Sequence, residues 1–285
     1  MGRAVLPRIS ARGLGRSAGA DQYSVERSYD EIDVRVAHVT IRWPVRIDET
    51  AAKFETSPIA HWPLKHTLLE LLDEGRFDEI AEMATRRKRV LGSLVTLTYA
   101  ADVRTSWRAV EALGVAASRI AEGDPDHVRE LLRRLMWLVN DESGGICLRA
   151  PEAMAEILRR QPTLYADYIP IVTLLLVNLA EEDLERFRAG ILRAIGRLGA
   201  LARDSFQDVA PAVVSALIDS DPQVRGMAVW CLHEVGRADL LAGRPDLIAD
   251  LIADEDPVDL YEDGILTRTT VSQLVQRALP ARPAE

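Results

Sequence analysis

The stretch Trp107-Arg108-Ala109-Val110-Glu111-Ala112-Leu113-Gly114 decides the fold, because the chain repeats its pattern at nearly constant spacing. A shift of 41 residues lands on Leu148-Arg149-Ala150-Pro151-Glu152-Ala153-Met154-Ala155, and a further 41 on Ala189-Gly190-Ile191-Leu192-Arg193-Ala194-Ile195-Gly196. A shift of 37 then reaches Gly226-Met227-Ala228-Val229-Trp230-Cys231-Leu232-His233. One column reads Ala112, Ala153, Ala194, Cys231, and the next Leu113, Met154, Ile195, Leu232. Apolar positions at i, i+4, i+7 and i+8 place both columns on one helix face, and the recurrent small side chain lets neighbouring helices approach closely.

Further amphipathic stretches at 127–139, 164–179 and 208–218 lie between these copies, joined to them by turns such as Asp219-Ser220-Asp221-Pro222. Each unit therefore reads helix, turn, helix. One such pair leaves its apolar stripe uncovered, so the pairs must stack. The spacing is too long for tetratricopeptide or ankyrin units and fits the HEAT/armadillo range.

Asp221-Pro222-Gln223-Val224-Arg225-Gly226-Met227-Ala228, continuing to Cys231-Leu232, resembles the HEAT repeat, particularly the short subtype also found in phycobilin lyases. The resemblance covers about residues 87–279, closing on a degenerate copy at Thr270-Val271-Ser272-Gln273-Leu274-Val275, with an extra helix or pair at 63–85 capping the start. Trp137 to Gly145 followed by Ala150-Pro151-Glu152 is similar to functionally uncharacterised bacterial HEAT proteins. The resemblance implies an all-α fold, a right-handed α-solenoid (armadillo-type superhelix) of about five helix pairs. Its second helices would form a concave surface that takes up a partner.

The N-terminal quarter reads differently. Residues 1–20 hold Arg3, Arg8, Arg12 and Arg16 and no acid, and are expected to be a disordered basic tail. Residues 21–62 read as an extended arm. Within it Ile32, Val34 and Val36 alternate in one phase and Val39, Ile41 and Trp43 in the other. The phase change near Ala37-His38 implies a bulge or a break between two short strands, and Pro44 restricts any strand to an edge. No other stretch reads as strand, so the arm is expected to drape over the helical body, 63–285, or to pair across a homodimer.

Composition narrows the function. The net charge of −9 opposes a protein that grips nucleic acid over its whole surface. No run of 18 apolar residues appears, so no membrane insertion is expected. Two cysteines exclude a disulfide scaffold. Cys231 fills the small core column and reads as an inert thiol, whereas Cys147 stands in a more exposed column. His233-Glu234 resembles the pairs that hold di-iron in deoxyhypusine hydroxylase, but the sister columns read Gly114, Ala155 and Gly196. Neither a metal nor another cofactor is expected, and no catalytic residue is assigned.

The HEAT resemblance also implies an Asp–Arg ladder between repeats, which only Asp221 and Arg225 preserve together; it is read as structural. Asn140, Asp141, Glu142 and Ser143 read as a turn and helix cap. The basic runs at 86–89, 133–134 and 159–160 read as solvated helix faces, with a locally basic groove left open. Arg108, Glu111, Arg149, Glu152, Glu156, Arg193, Arg197, Trp230 and Glu234 are the candidate members of the concave partner surface. Trp230, where sister repeats carry Glu or Arg, is either an accessible anchor or a packing residue. The expected role is a cytoplasmic, non-enzymatic scaffold or adaptor for a protein partner. An accessory lyase or chaperone for a tetrapyrrole or other cofactor is the first alternative, and a nucleic-acid-binding HEAT protein the second.

Overall fold

The computed structural model describes residues 31–36 and 39–44 as strands, and residues 58–139, 147, 149–178 and 185–279, with side chains from Leu64 onward. The expected tail at 1–20 and the turn residues Asn140, Asp141, Glu142 and Ser143 lie outside the described residues. The chain divides into two units, Met1–Lys53 and Phe54–Glu285. In the first, β1 (Glu31–Val36) pairs antiparallel with β2 (Val39–Pro44), Val36 facing Val39. The phase change is thus a reversal between two strands that partner each other, and Pro44, which lacks an amide donor, is the last residue of its strand.

The second unit starts with α1 (Pro58–Asp73) and α2 (Phe77–Arg86), where the capping pair was expected. It continues with α3 (Arg89–Leu97), α4 (Val103–Ala121), α5 (Pro125–Val139), α6 (Ala150–Arg160) and α7 (Tyr168–Leu174). After these come α8 (Arg188–Leu198), α9 (Arg203–Ser215), α10 (Pro222–Glu234), α11 (Ala238–Ala242) and α12 (Pro245–Ile252). The helices start where their sequence permits. Asp102 accepts the Thr105 amide at 2.7 Å ahead of α4, and Asp221 accepts the Gln223 amide at 2.9 Å ahead of α10, whose first residue is Pro222. Such side-chain acceptors satisfy amides that have no partner within the helix.

Four repeat helices form a continuous row: α4 packs on α6, α6 on α8 and α8 on α10, while α2 flanks α4. The columns read from the sequence are its core. Ala112, Ala153, Ala194 and Cys231 are buried, as are Leu113, Met154, Ile195 and Leu232. Contacts are close enough that a Cβ on Gly114 would lie 2.9 Å from the Glu156 carbonyl oxygen. Further helices pack on this row or on one another, α3 on α4, α5 on α4 and α6, α7 on α6 and α8, and α9 on α7 and α10.

The last copy departs from expectation. Residues read as part of a degenerate helical repeat form a hairpin, β3 (Pro257–Glu262) and β4 (Ile265–Thr270), before α13 (Val271–Ala278), which packs on α10. The two-residue turn is Asp263-Gly264, both at positive φ, +42° and +86°. An Asp-Gly pair at such angles matches the twist of two antiparallel strands and fixes their register, Glu262 opposite Ile265. A capping box between Thr270 and Gln273 then starts α13.

Candidate functional site

Glu111, Glu152 and Arg193 were expected on the accessible surface of α4, α6 and α8, and Trp230 on α10 as either an accessible anchor or a packing residue. All four residues are buried, together with Glu156. The β3–β4 hairpin closes over Glu111, Arg193 and Trp230, each of which hydrogen-bonds to it, and its Val258, Leu260 and Tyr261 are buried in turn. A Cβ on Gly226 would lie 2.6 Å from Val258, so β3 rests directly against α10.

Polar side chains buried in this way need internal partners. The Tyr261 hydroxyl donates to Glu111 Oε2 at 2.7 Å, and its ring stacks on Trp107 with centroids 5.6 Å apart and planes 7° from parallel. Arg193 donates from Nη2 to the Tyr261 carbonyl at 2.5 Å and lies over the Trp107 ring at 4.2 Å. Glu156 accepts from Arg159 at 2.7 Å and from Arg197 at 2.6 Å, and Arg197 also reaches Asp263 at 2.5 Å. Trp230 donates from Nε1 to Glu262 at 3.2 Å. Arg277 bridges Glu262 and Glu234, the latter at 3.0 Å. Burial alone would raise the Glu156 carboxyl, but Arg197 and Arg159 outweigh it and hold it below the usual carboxylate range.

Other candidates also find definite places. Cys147 is buried rather than exposed, its Sγ 3.4 Å from Thr98 Oγ1. Cys231 is buried, and burial pushes its thiol pKa up. Arg225 pairs with Asp254 at 2.8 Å and Asp256 at 2.9 Å, while Asp221 serves as the α10 cap. Arg188 likewise reaches Asp219 at 2.7 Å, ahead of the next helix. The links between copies therefore use turn acids at 219 and 254. In the basic runs, Lys88 pairs with Asp124, Arg133 with Glu130 and Arg159 with Glu156. His233 and Glu234 are half-buried, and no group of three or more His, Cys, Asp or Glu could hold a metal among the described residues.

A cleft of about 550 Å³ lies at the N-terminal turns of α4, α6, α8 and α10, beside β3. Trp107, Arg149, Glu152, Gly190, Arg193 and Met227 line it. Arg149 donates from Nε to Ser106 Oγ at 2.6 Å, and its guanidinium lies 3.7 Å from the Trp107 ring centre. Glu152 Oε1 is 3.8 Å from Arg149, but Glu152 Oε2 makes no hydrogen bond, nor do Arg193 Nε and Nη1. Burial raises the Glu152 carboxyl and pushes Arg193 down to about 10, which leaves that guanidinium protonated at neutral pH.

Sequence reasoning brought Arg149, Glu152 and Arg193 together on adjacent helices and missed what closes over them. The signal was present: Asp263-Gly264 flanked by Val258 and Leu260 on one side and Leu266 on the other is a hairpin pattern. Trp107 entered only as the first residue of the repeated stretch, and Tyr261 was not singled out.

Two comparisons bear on identity. The family model of the HEAT-like repeat matches residues 185–235, covering α8, α9 and α10. That match places one HEAT-like repeat at α8–α10, and the buried columns that recur on α4, α6, α8 and α10 support a HEAT-repeat protein. An uncharacterised protein of Archaeoglobus fulgidus is 27% identical over 187 residues, which span 64% of this chain and 91% of the archaeal protein. HEAT repeats generally mediate protein interactions.

Proposed function

We propose that the protein is a non-enzymatic adaptor or scaffold, built as a right-handed α-solenoid of about five HEAT-like helix pairs. The observation that supports this best is the row α4, α6, α8 and α10, in which each helix buries the same columns against the next. A stack held by nearest-neighbour contacts offers a long preorganised surface, and preorganisation lowers the ordering cost of binding.

Because the hairpin occupies the middle of the expected partner surface, the partner contacts fall on what stays accessible. Arg108, Arg149 and Glu234 are only partly buried, and Trp137 on α5 is 61% exposed. An exposed tryptophan on a rigid helix is the kind of side chain that anchors a protein partner. Glu111, Glu156, Arg193, Arg197 and Trp230 serve this role indirectly, by holding the hairpin. The reading includes a cytoplasmic location, for which two unpaired buried cysteines suit a reducing compartment. It also includes a monomer, or a homodimer through the edges of β1 and β2.

The test is affinity capture followed by reconstitution from purified components, comparing wild type with Trp137→Ala. A stoichiometric protein partner whose affinity falls about 10-fold or more in the variant is expected. A partner that binds both forms equally refutes the surface, and failure to reconstitute any complex refutes the adaptor. The tetrapyrrole-chaperone reading has one observation in its favour, a cleft of small-molecule size. It requires absorbance changes when the protein is mixed with a linear tetrapyrrole.

A further inference from the structure

The cleft at the helix N-termini holds polar atoms that the fold itself does not use. Elsewhere beneath the hairpin the buried carboxylates are matched, Glu111 by Tyr261 and Glu156 by two arginines. Glu152 and Arg193 break this pattern. Both are at least nine-tenths buried and both line the cleft, yet Glu152 Oε2 and Arg193 Nε and Nη1 are without hydrogen bonds among the described residues. Polar atoms buried without partners are costly, and their concentration at one cavity calls for an occupant.

We infer that this cleft binds a small organic anion. Its carboxylate or phosphate oxygens take Arg149 and Arg193, and an adjacent polar group meets Glu152. Four observations converge on that chemistry. Arg149 is laid flat on Trp107 with its Nε tied to Ser106, so its remaining N–H groups are oriented before a ligand arrives. Arg193 is fixed from the other side by the Tyr261 carbonyl. The cleft also lies at the N-terminal turns of α6 and α8, where the helix dipoles favour an anion. Finally, Gly190 leaves room for the Glu152 carboxylate at the cleft wall, since a Cβ there would lie 2.9 Å from Glu152 Oε1.

The volume of about 550 Å³ suits a small molecule rather than a folded partner, and Ala100, Val103 and Met227 provide apolar wall for its carbon skeleton. Arg186 and Asp259, both exposed, stand at the rim and limit the net charge that the ligand meets on entry. This inference stands independently of the adaptor reading, since it uses neither Trp137 nor a protein partner.

The experiment is calorimetric titration of the full chain with sodium malate and, separately, with glycerol 3-phosphate, against sodium chloride of matched ionic strength. Saturable one-to-one binding of at least one probe is expected, and the responding probe tells carboxylate from phosphate. Arg149→Gln should weaken it by about 10-fold or more, and Gly190→Ala, which crowds Glu152, should weaken it as well. No saturation by either probe up to about 20 mM, or affinity within about twofold in Arg149→Gln, overturns the proposal. Where Arg149→Gln does not fold, the wild-type proton–nitrogen spectrum decides. The Arg193 Nε–H resonance must move with the probe, and an unmoved resonance overturns the inference.

Discussion

Removing one oxygen atom from Tyr261 tests the hairpin's hold on the helix row. In Tyr261→Phe the ring still stacks on Trp107, so the apolar burial is retained and the change is confined to the hydroxyl. That hydroxyl donates to Glu111 Oε2 at 2.7 Å, and Glu111 is only 7% exposed. The next charge available to Glu111 is Arg160, at 3.7 Å, which is an ion pair without a hydrogen bond. Loss of the donor therefore leaves a buried carboxylate oxygen unmatched, which costs about 1–3 kcal/mol. Glu111→Gln should cost less in the Tyr261→Phe background than in wild type, because its partner is already gone. The coupling energy between the two positions should be about 0.5–3 kcal/mol. Urea unfolding followed by circular dichroism at 222 nm measures all four proteins. A Tyr261→Phe midpoint within error of wild type, with no coupling to position 111, would refute the buried contact.

Four other outcomes follow from the same geometry. Glu152 is raised by burial, so it is neutral in the folded chain over a range above the usual carboxylate pKa where the unfolded chain is ionised. That difference lowers stability as pH rises through this window, so Glu152→Gln should be more stable than wild type at pH 7 and lose the advantage near pH 4; an advantage unchanged with pH contradicts the assignment. Glu156 is held low, with Arg197 and Arg159 overcoming its burial, so its contribution is present above the usual glutamate range and disappears on acidification through its depressed pKa; Glu156→Gln should remove that component of the acid transition. Gly226→Ala brings a methyl to 2.6 Å from Val258 and should destabilise by about 1–3 kcal/mol despite alanine's better helix propensity, as read by thermal unfolding. Asp221→Ala removes the α10 cap and should cost about 1 kcal/mol, against no measurable loss at an exposed control such as Glu255.

The apolar columns were legible because their cause is local. A period near forty with a small residue at 112, 153, 194 and 231 requires helices that pack on one another at those points, and all four sites are fully buried. The polar positions at 111, 152 and 193 were misread for an equally physical reason. Within a helix, Glu and Arg beside a core stripe look like a solvated face, and nothing within α4 or α8 reveals that residues 150 and 68 positions downstream will supply Tyr261 as a partner. The burial of Trp230 followed the same rule: its indole N–H needs an acceptor, and Glu262 provides it only once the hairpin is in place. Cys147 was placed outside the core because its column holds Ser106 and Arg188 in sister copies, yet Thr98 at the end of α3 closes over it.

The most direct test of the account is whether β3 lies on the inner helices in solution. In a sample with selectively labelled tryptophan and tyrosine, nuclear Overhauser contacts between the Tyr261 ring and the Trp107 indole are predicted from centroids 5.6 Å apart. Absence of those contacts, with rapid solvent exchange of the Trp230 indole proton, would mean that the row of helices is open and that the hairpin sits elsewhere.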